Sequence, residues 1–166
     1  AGRSRRLEAR LTPELYRNVM RHQAGAVALI ATGRPGARTG MAAAAVGSLT
    51  DTPPTLLVCV NQTASAHDII ADTGAFSVNL LCPSHQELVG VFSGKTGLKG
   101  EDRFDDALWQ TLVTGAPILK GALASFDCEV VDSKTVSTHT IYIGEVRDGA
   151  AQEDLDPLVY FRGGFL

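Results

Sequence analysis

GMAAAAVGSLTDTPPTLLVCVN, residues 40–61, decides the fold. From Gly40 to Ser48 nearly every side chain is small. Pro53-Pro54 then leads into a short apolar run over 55–60, and Asn61 closes it. A run that is apolar on both faces, with proline only at its entry, reads as an internal strand. The small-residue stretch before it reads as a second strand. Missing side-chain bulk lets a backbone come close to a flat ligand, with N–H groups turned to the ligand's edge. Alternatively, small residues there simply fit a tightly packed strand.

Working back from this stretch, residues 26–32 (AVALIAT) form a short apolar run. Gly33-Arg34-Pro35-Gly36 is a turn signal, so the chain returns as a hairpin into residues 40–48. Further back, Thr12-Pro13-Glu14 starts a helix with an N-cap, a proline at the first helical position and an acid in the first turn. Leu15, Val19 and Met20 make its apolar side, and Gly25 stops it. The basic segment over 1–11 lacks the apolar stretch of a secretory signal and reads as a flexible, solvated tail. The chain starts with Ala rather than Met, which fits a processed or trimmed start.

Working forward, residues 65–72 read as a short helix with Ile69 and Ile70 inward and Gly74 past its end. Residues 75–81 alternate, with Phe76, Val78 and Leu80 on one face of a strand. Pro83 opens another helix, in which Ser84 and Glu87 have capping-box spacing and Leu88, Val89 and Phe92 are apolar. A surface loop is expected over 93–106 and a strand over 109–113. Residues 122–131 and 140–146 read as β, joined by a connection holding Ser137-Thr138-His139. A final strand covers 158–161, before Gly163-Gly164. The β runs outnumber the helices without alternating with them. That argues against a doubly wound parallel sheet and for a mainly β (α+β) chain: an antiparallel barrel with flanking helices. Residues 12–166 read as a single domain.

Hydrophobic residues make up 45% and charged residues 20% of the 166, with a formal net charge of −3. This gives no electrostatic footing for nucleic acid or an anionic membrane. No apolar run approaches the ~20 residues of a membrane helix. Cys59, Cys82 and Cys128 are far apart in apolar segments, an odd count that argues for reduced, buried thiols in the cytoplasm. Gly94-Lys95-Thr96 mimics the end of a phosphate-binding loop, but Val89 stands where its first glycine belongs. His67-Asp68 and His85 with Glu87 lack metal-ligand spacing, so no metal is expected. Without nucleophile or metal signatures, an organic cofactor remains as the carrier of reactivity.

Six segments in order resemble the short-chain flavin reductases, the reductase components of two-component flavin-dependent monooxygenases. They are residues 40–65, FSVNLL (76–81), FSGKTGLKGEDRF (92–104), WQTLVTGAPILKGALASFDCEV (109–130), THTIYIGEV (138–146) and PLVYFRGGF (157–165). The resemblance implies a Greek-key split barrel that binds FMN or FAD. It also implies hydride transfer from NADH or NADPH, a homodimer, and a partner monooxygenase that uses the reduced flavin. A cobalt corrin as electron acceptor, or an FMN-binding module without turnover, are the alternative readings.

By the same resemblance, Met41, Ala42, Ala43, Ala44, Val46, Gly47, Ser48 and Val60 surround the flavin. Relatives carry hydroxyls near 42 and 44, so alanines there imply a flavin held through the backbone. Asn61 and Ser65 fit the phosphate or ribityl end, or equally a strand end and an N-cap. Phe92, Lys95 and Arg103 belong to a flavin-side wall, with Lys95 and Arg103 either phosphate partners or solvated charges. His139 is the catalytic candidate, orienting the nicotinamide, unless it is only a turn residue. Tyr160 and Arg162 line the pyridine-nucleotide site or merely edge a strand.

Overall fold

The computed structural model describes residues 11–166. The expected tail therefore lies, apart from Leu11, outside the described residues. The order of elements is α1 (Pro13–Met20), β1 (Gly25–Ala26), β2 (Ala28–Thr32), β3 (Thr39–Ala43), β4 (Val46–Asp51) and β5 (Pro54–Asn61). Then follow α2 (Ser65–Thr73), β6 (Ala75–Leu80), α3 (Gln86–Phe92), β7 (Trp109–Gln110) and β8 (Ile118–Leu119). The chain ends with β9 (Ala124–Val136), β10 (His139–Ala151), β11 (Val159–Phe161) and β12 (Gly164–Phe165). It is a mainly β structure with a few short helices.

Seven strands form one antiparallel sheet in the order β3-β2-β6-β9-β10-β5-β4. Its two edge strands, β3 and β4, are joined through Ala44 and Ala45 alone, yet no ladder links them. A two-residue link reaches only about 10 Å between its flanking residues. The sheet must therefore curl until its edges meet at Ala44-Ala45, where the small residues cluster.

β2 is the wall between two cores. Ala28 and Ile30 face one cluster with Val58, Val60, Ile70, Phe76 and Tyr142. Val27, Leu29 and Ala31 face the other, with Phe92, Phe104, Trp109 and Leu158. The two-residue side-chain period of a strand makes this division, and the one polar side chain of β2, the buried Thr32, donates to the Ala75 carbonyl at 2.7 Å.

Several expectations change. The strand over 26–32 breaks at Val27, and β1 pairs instead with β11 in a small second sheet. The helix after Pro83 begins as a 3-10 turn, Pro83–His85, and Ser84 with Glu87 forms no capping box. The His85 ring takes that place: its Nδ1 accepts the Cys82 N–H at 3.1 Å. The strand over 109–113 stops at Gln110, because the amides of Val113 and Thr114 turn to the buried Asp127 carboxylate at 2.7 and 2.9 Å. In α2 it is Ala66 and Ile70 that are buried, while Ile69 stays half-exposed. The loop over 93–106 contains a 3-10 turn, Gly100–Arg103, and the buried Phe104. Cys59 is half-buried, whereas Cys82 and Cys128 are buried. No helix among the described residues is long and apolar enough to cross a membrane.

Candidate functional site

Thr39 to Ala43 form an edge strand, so one side of β3 has no ladder partner. Arg103 Nη1 donates to the Gly40 carbonyl at 2.9 Å, which shows that Gly40 turns its polar groups toward that open side. In an antiparallel strand this direction repeats every second residue, so the N–H and C=O of Ala42 share the open edge. Ala42, Ala43 and Ala44 then line a hollow of about 260 Å³ with Val89, Ser93, Tyr160 and Phe165. A neighbouring hollow of about 560 Å³ is lined by Ala44, Val46, Gly47, Cys59, Tyr160 and the α1 residues Tyr16 and Met20. A third, of about 530 Å³, takes in Ser48 as well. Ala44 belongs to all three. The two larger volumes are of the size that holds a small organic molecule.

The opposite end of β3 is built from polar groups. Arg103 Nη2 donates to Thr39 Oγ1 at 2.8 Å, and its Nε donates to Gly100 O at 3.2 Å. With the Gly40 bond, three of the five guanidinium N–H groups are used, and two remain for a ligand. The guanidinium lies over Phe92, with Cζ 5.2 Å from the ring centre and so inside the reach of about 6 Å for a cation–π contact. Partial burial pulls the Arg103 pKa down from its ordinary value, the shift expected of a cation losing water. Ser65 Oγ lies 2.5 Å from Thr39 Oγ1. Ser65 opens α2, whose N-cap, Ala64, offers no side-chain acceptor. The first amides of α2 are therefore left to solvent or to an anion.

Arg103 is held in place by charges outside the site. Arg38 Nη2 meets Glu101 Oε1 at 2.6 Å and Asp106 Oδ1 at 2.6 Å. The Glu101 carboxylate also accepts the backbone N–H of Gly36 at 3.0 Å and of Arg38 at 2.8 Å. This ion pair fastens the 3-10 turn that carries Arg103 onto the turn between β2 and β3. Arg38 is 8% exposed, and the bond to it holds the Glu101 carboxyl at about 2.

The remaining candidates are placed as follows. Met41 packs against the first core, and Val60 lies within it. Phe92 is 4% exposed, so its ring supports Gly40 and Arg103 from beneath. Lys95 is exposed and makes no side-chain hydrogen bond among the described residues. Asn61 Oδ1 accepts from the N–H and the hydroxyl of Thr63, both at 2.9 Å, and so shapes the turn into Ser65. His139 is exposed at the start of β10, paired with Asn61, and lines none of the three hollows. Arg162 adopts φ 52° in the β11–β12 turn, and its carbonyl accepts from Arg21 Nη2. That bond ties the end of α1 to the hairpin bearing Tyr160. Sequence reasoning missed Thr39, Arg38 and Glu101, because nothing local separates a buried ion pair from solvated charges. It also missed Val89, Ser93, Phe165 and the α1 residues on the hollows, whose place is set by tertiary packing.

The family description "Flavin reductase like domain" matches residues 20–166. An FMN reductase (NADH), RutF, of Pantoea ananatis is 46% identical over 154 residues, covering 93% of this chain and 80% of that protein. A solved structure of a putative flavin reductase from Haemophilus somnus superposes with TM-score 0.88 at 35% identity, covering 94% of this chain and 99% of that one. BorF, the flavin reductase component of a bacterial two-component tryptophan halogenase, superposes with TM-score 0.86 at 27% identity, covering 93% and 97%. The chain belongs to the flavin reductase family.

Proposed function

We propose that residues 12–166 are one Greek-key split-barrel domain that works as an NADH:flavin oxidoreductase. The observation that carries this is the layout of β3: an open backbone edge, with Arg103 and Ser65 gathered at Thr39 and an open hollow at Ala44. Five residues at ~3.3 Å each put these ends about 17 Å apart. A flavin fits that layout, its phosphate at Arg103, Ser65 and the α2 amides, its ring beside Ala42 to Gly47. When bound, a flavin supplies the ring that accepts a hydride from a nicotinamide.

The chain's own residues bind and orient. Backbone groups of Ala42 and its neighbours meet the polar ring edge, where the N–H groups favour the negative charge of a reduced ring. Met41, Ala43, Val46, Gly47, Ser48 and Val60 shape the space around it. Tyr160, with Arg162 in the adjoining turn, closes the hollow on the pyridine-nucleotide side. His139, which stands beside Asn61 and outside the three hollows, is assigned to orienting the nicotinamide by the family resemblance alone, and no proton transfer is needed of it. The relatives named FMN reductase (NADH) favour FMN and NADH for this chain too.

The protein acts as a homodimer. The exposed apolar side of α1, with Leu15, Tyr16, Val19 and Met20, is a surface that a second copy covers. The reduced flavin passes to a partner monooxygenase, as the two-component neighbours suggest. A pyridine-nucleotide donor and three free thiols suit a reducing cytoplasm. Steady-state assays crossing FMN and FAD with NADH and NADPH test the function. Oxidation of NADH that depends on added flavin supports it. No nucleotide oxidation in any of the four mixtures overturns it.

A further inference from the structure

Thr39 is 1% exposed and cannot touch a ligand in the hollow, yet its hydroxyl joins the two side chains at the polar end of β3. The direction of the Arg103 bond follows from the chemistry of its donor, and that of the Thr39–Ser65 bond from the burial of the Thr39 proton, which needs an acceptor. A guanidinium only donates, so the Thr39 oxygen accepts from Arg103 Nη2. The Thr39 proton then has one hydroxyl neighbour at this end of β3, Ser65 Oγ. With Thr39 donating, the Ser65 oxygen is the acceptor and its own proton turns away from Thr39. Ser65 is exposed at the start of α2, so that proton is free to be donated to solvent or to a ligand there. Arg103 thereby fixes the orientation of a hydroxyl it does not contact.

A phosphate ester at neutral pH presents mostly acceptors. A cluster made only of donors suits it, and a hydroxyl free to rotate suits it less well. Asp68, the acid in the first turn of α2, is bound to His67 Nδ1 at 2.8 Å and its side chain is 88% exposed. We propose that Thr39 is a positioning residue that locks Ser65 as a donor toward a flavin phosphate, and so sets the preference for phosphorylated over unphosphorylated flavin. The proposal rests on the reading of this end of β3 as the phosphate end.

The test is equilibrium binding of FMN and of riboflavin to the full chain, followed by flavin fluorescence, with melting by circular dichroism in parallel. Thr39→Val keeps the shape and removes the hydroxyl. It is expected to lower the FMN-over-riboflavin affinity ratio about tenfold while riboflavin binds as before. Thr39→Ser restores the ratio. Ser65→Ala, at an exposed position, lowers the ratio by a similar factor and serves if Thr39→Val does not fold. A wild-type ratio in Thr39→Val or in Ser65→Ala overturns the proposal, as does equal weakening of both flavins. If the wild type itself binds FMN and riboflavin equally, the phosphate reading fails, and the proposal with it.

Discussion

Arg103 donates through Nη1 to the carbonyl of Gly40 at 2.9 Å, across 63 residues of sequence. That bond reports which way β3 turns its polar groups, and it places a cation at one end of the open edge. Removing the cation leaves the ring end of the site untouched. Arg103→Ala is expected to raise the flavin dissociation constant ~10–100-fold, the loss of charge-assisted hydrogen bonds. At saturating flavin, kcat stays within about twofold, since the binding lost is uniform between ground and transition states. Arg103→Lys recovers part of the affinity, because an ammonium cannot reach Gly40, Thr39 and a ligand at once. A fluorescence titration beside steady-state kinetics reads both quantities. A large fall in kcat with unchanged flavin affinity contradicts this assignment.

The Glu101 carboxyl carries a pH signature. The Arg38 side chain first, then the N–H groups of Gly36 and Arg38, hold its pKa down from 4.5 to about 2. A carboxylate depressed in the folded state adds stability that is complete above its unfolded value. That stability drains away as pH falls from about 4.5 toward 2. Glu101→Gln should be less stable near neutrality, and its stability should fall less steeply across that acid window. Urea midpoints measured from pH 6 to pH 2.5 decide it. Parallel profiles for the two proteins mean that the pair does not link to folding.

Gly144 tests the core. A Cβ there would stand 2.6 Å from Phe76 Cζ and 2.9 Å from Cys128 Cβ, inside the first core cluster. Gly144→Ala should destabilise by ~1–3 kcal/mol through overpacking. For a chain of this size that corresponds to about 2–12 °C in melting temperature. Gly47→Ala is the control, because its Cβ would meet nothing closer than Leu57 at 3.6 Å. Melts of the two variants side by side are sufficient. An unshifted Gly144→Ala would show that Phe76 has room to retreat.

What the sequence made legible was local. The hairpin at Gly33 to Gly36 follows from turn chemistry, β2 from a short apolar run buried on both faces, and β6 from a two-residue period. Less visible were β9 and β10, which run on to Val136 and Ala151, well beyond their apolar halves. Their outer halves are exposed: 132–136 of β9 is held by pairing with the start of β10, and 148–151 of β10 by pairing with the start of β9, which hydrophobic patterning does not record. The same limit hid the Arg38–Glu101 pair, whose members lie 63 residues apart. Small residues at 40–48 were conspicuous as a composition. That the sheet's two edges meet there is a property of strand order alone.

Ala44 is the most direct probe of that meeting point. It is exposed, it lines all three hollows, and it stands in the two-residue link between the sheet's edge strands. Nothing in the core depends on its side chain, so variants there report on the hollow rather than on folding. A phenyl ring occupies space that a flavin ring needs, and Ala44→Phe should raise the flavin dissociation constant at least about tenfold, as expected for a blocked pocket. Ala44→Ser adds one hydroxyl at an exposed position and should bind flavin as well as the wild type or more tightly, since the added oxygen can share a hydrogen bond with the ring edge. Melting temperatures of both variants should match the wild type within a few °C, which separates a blocked site from a damaged fold. Equal flavin dissociation constants for the wild type and Ala44→Phe would remove residues 42–47 from the site and leave only the polar end of β3 as a candidate.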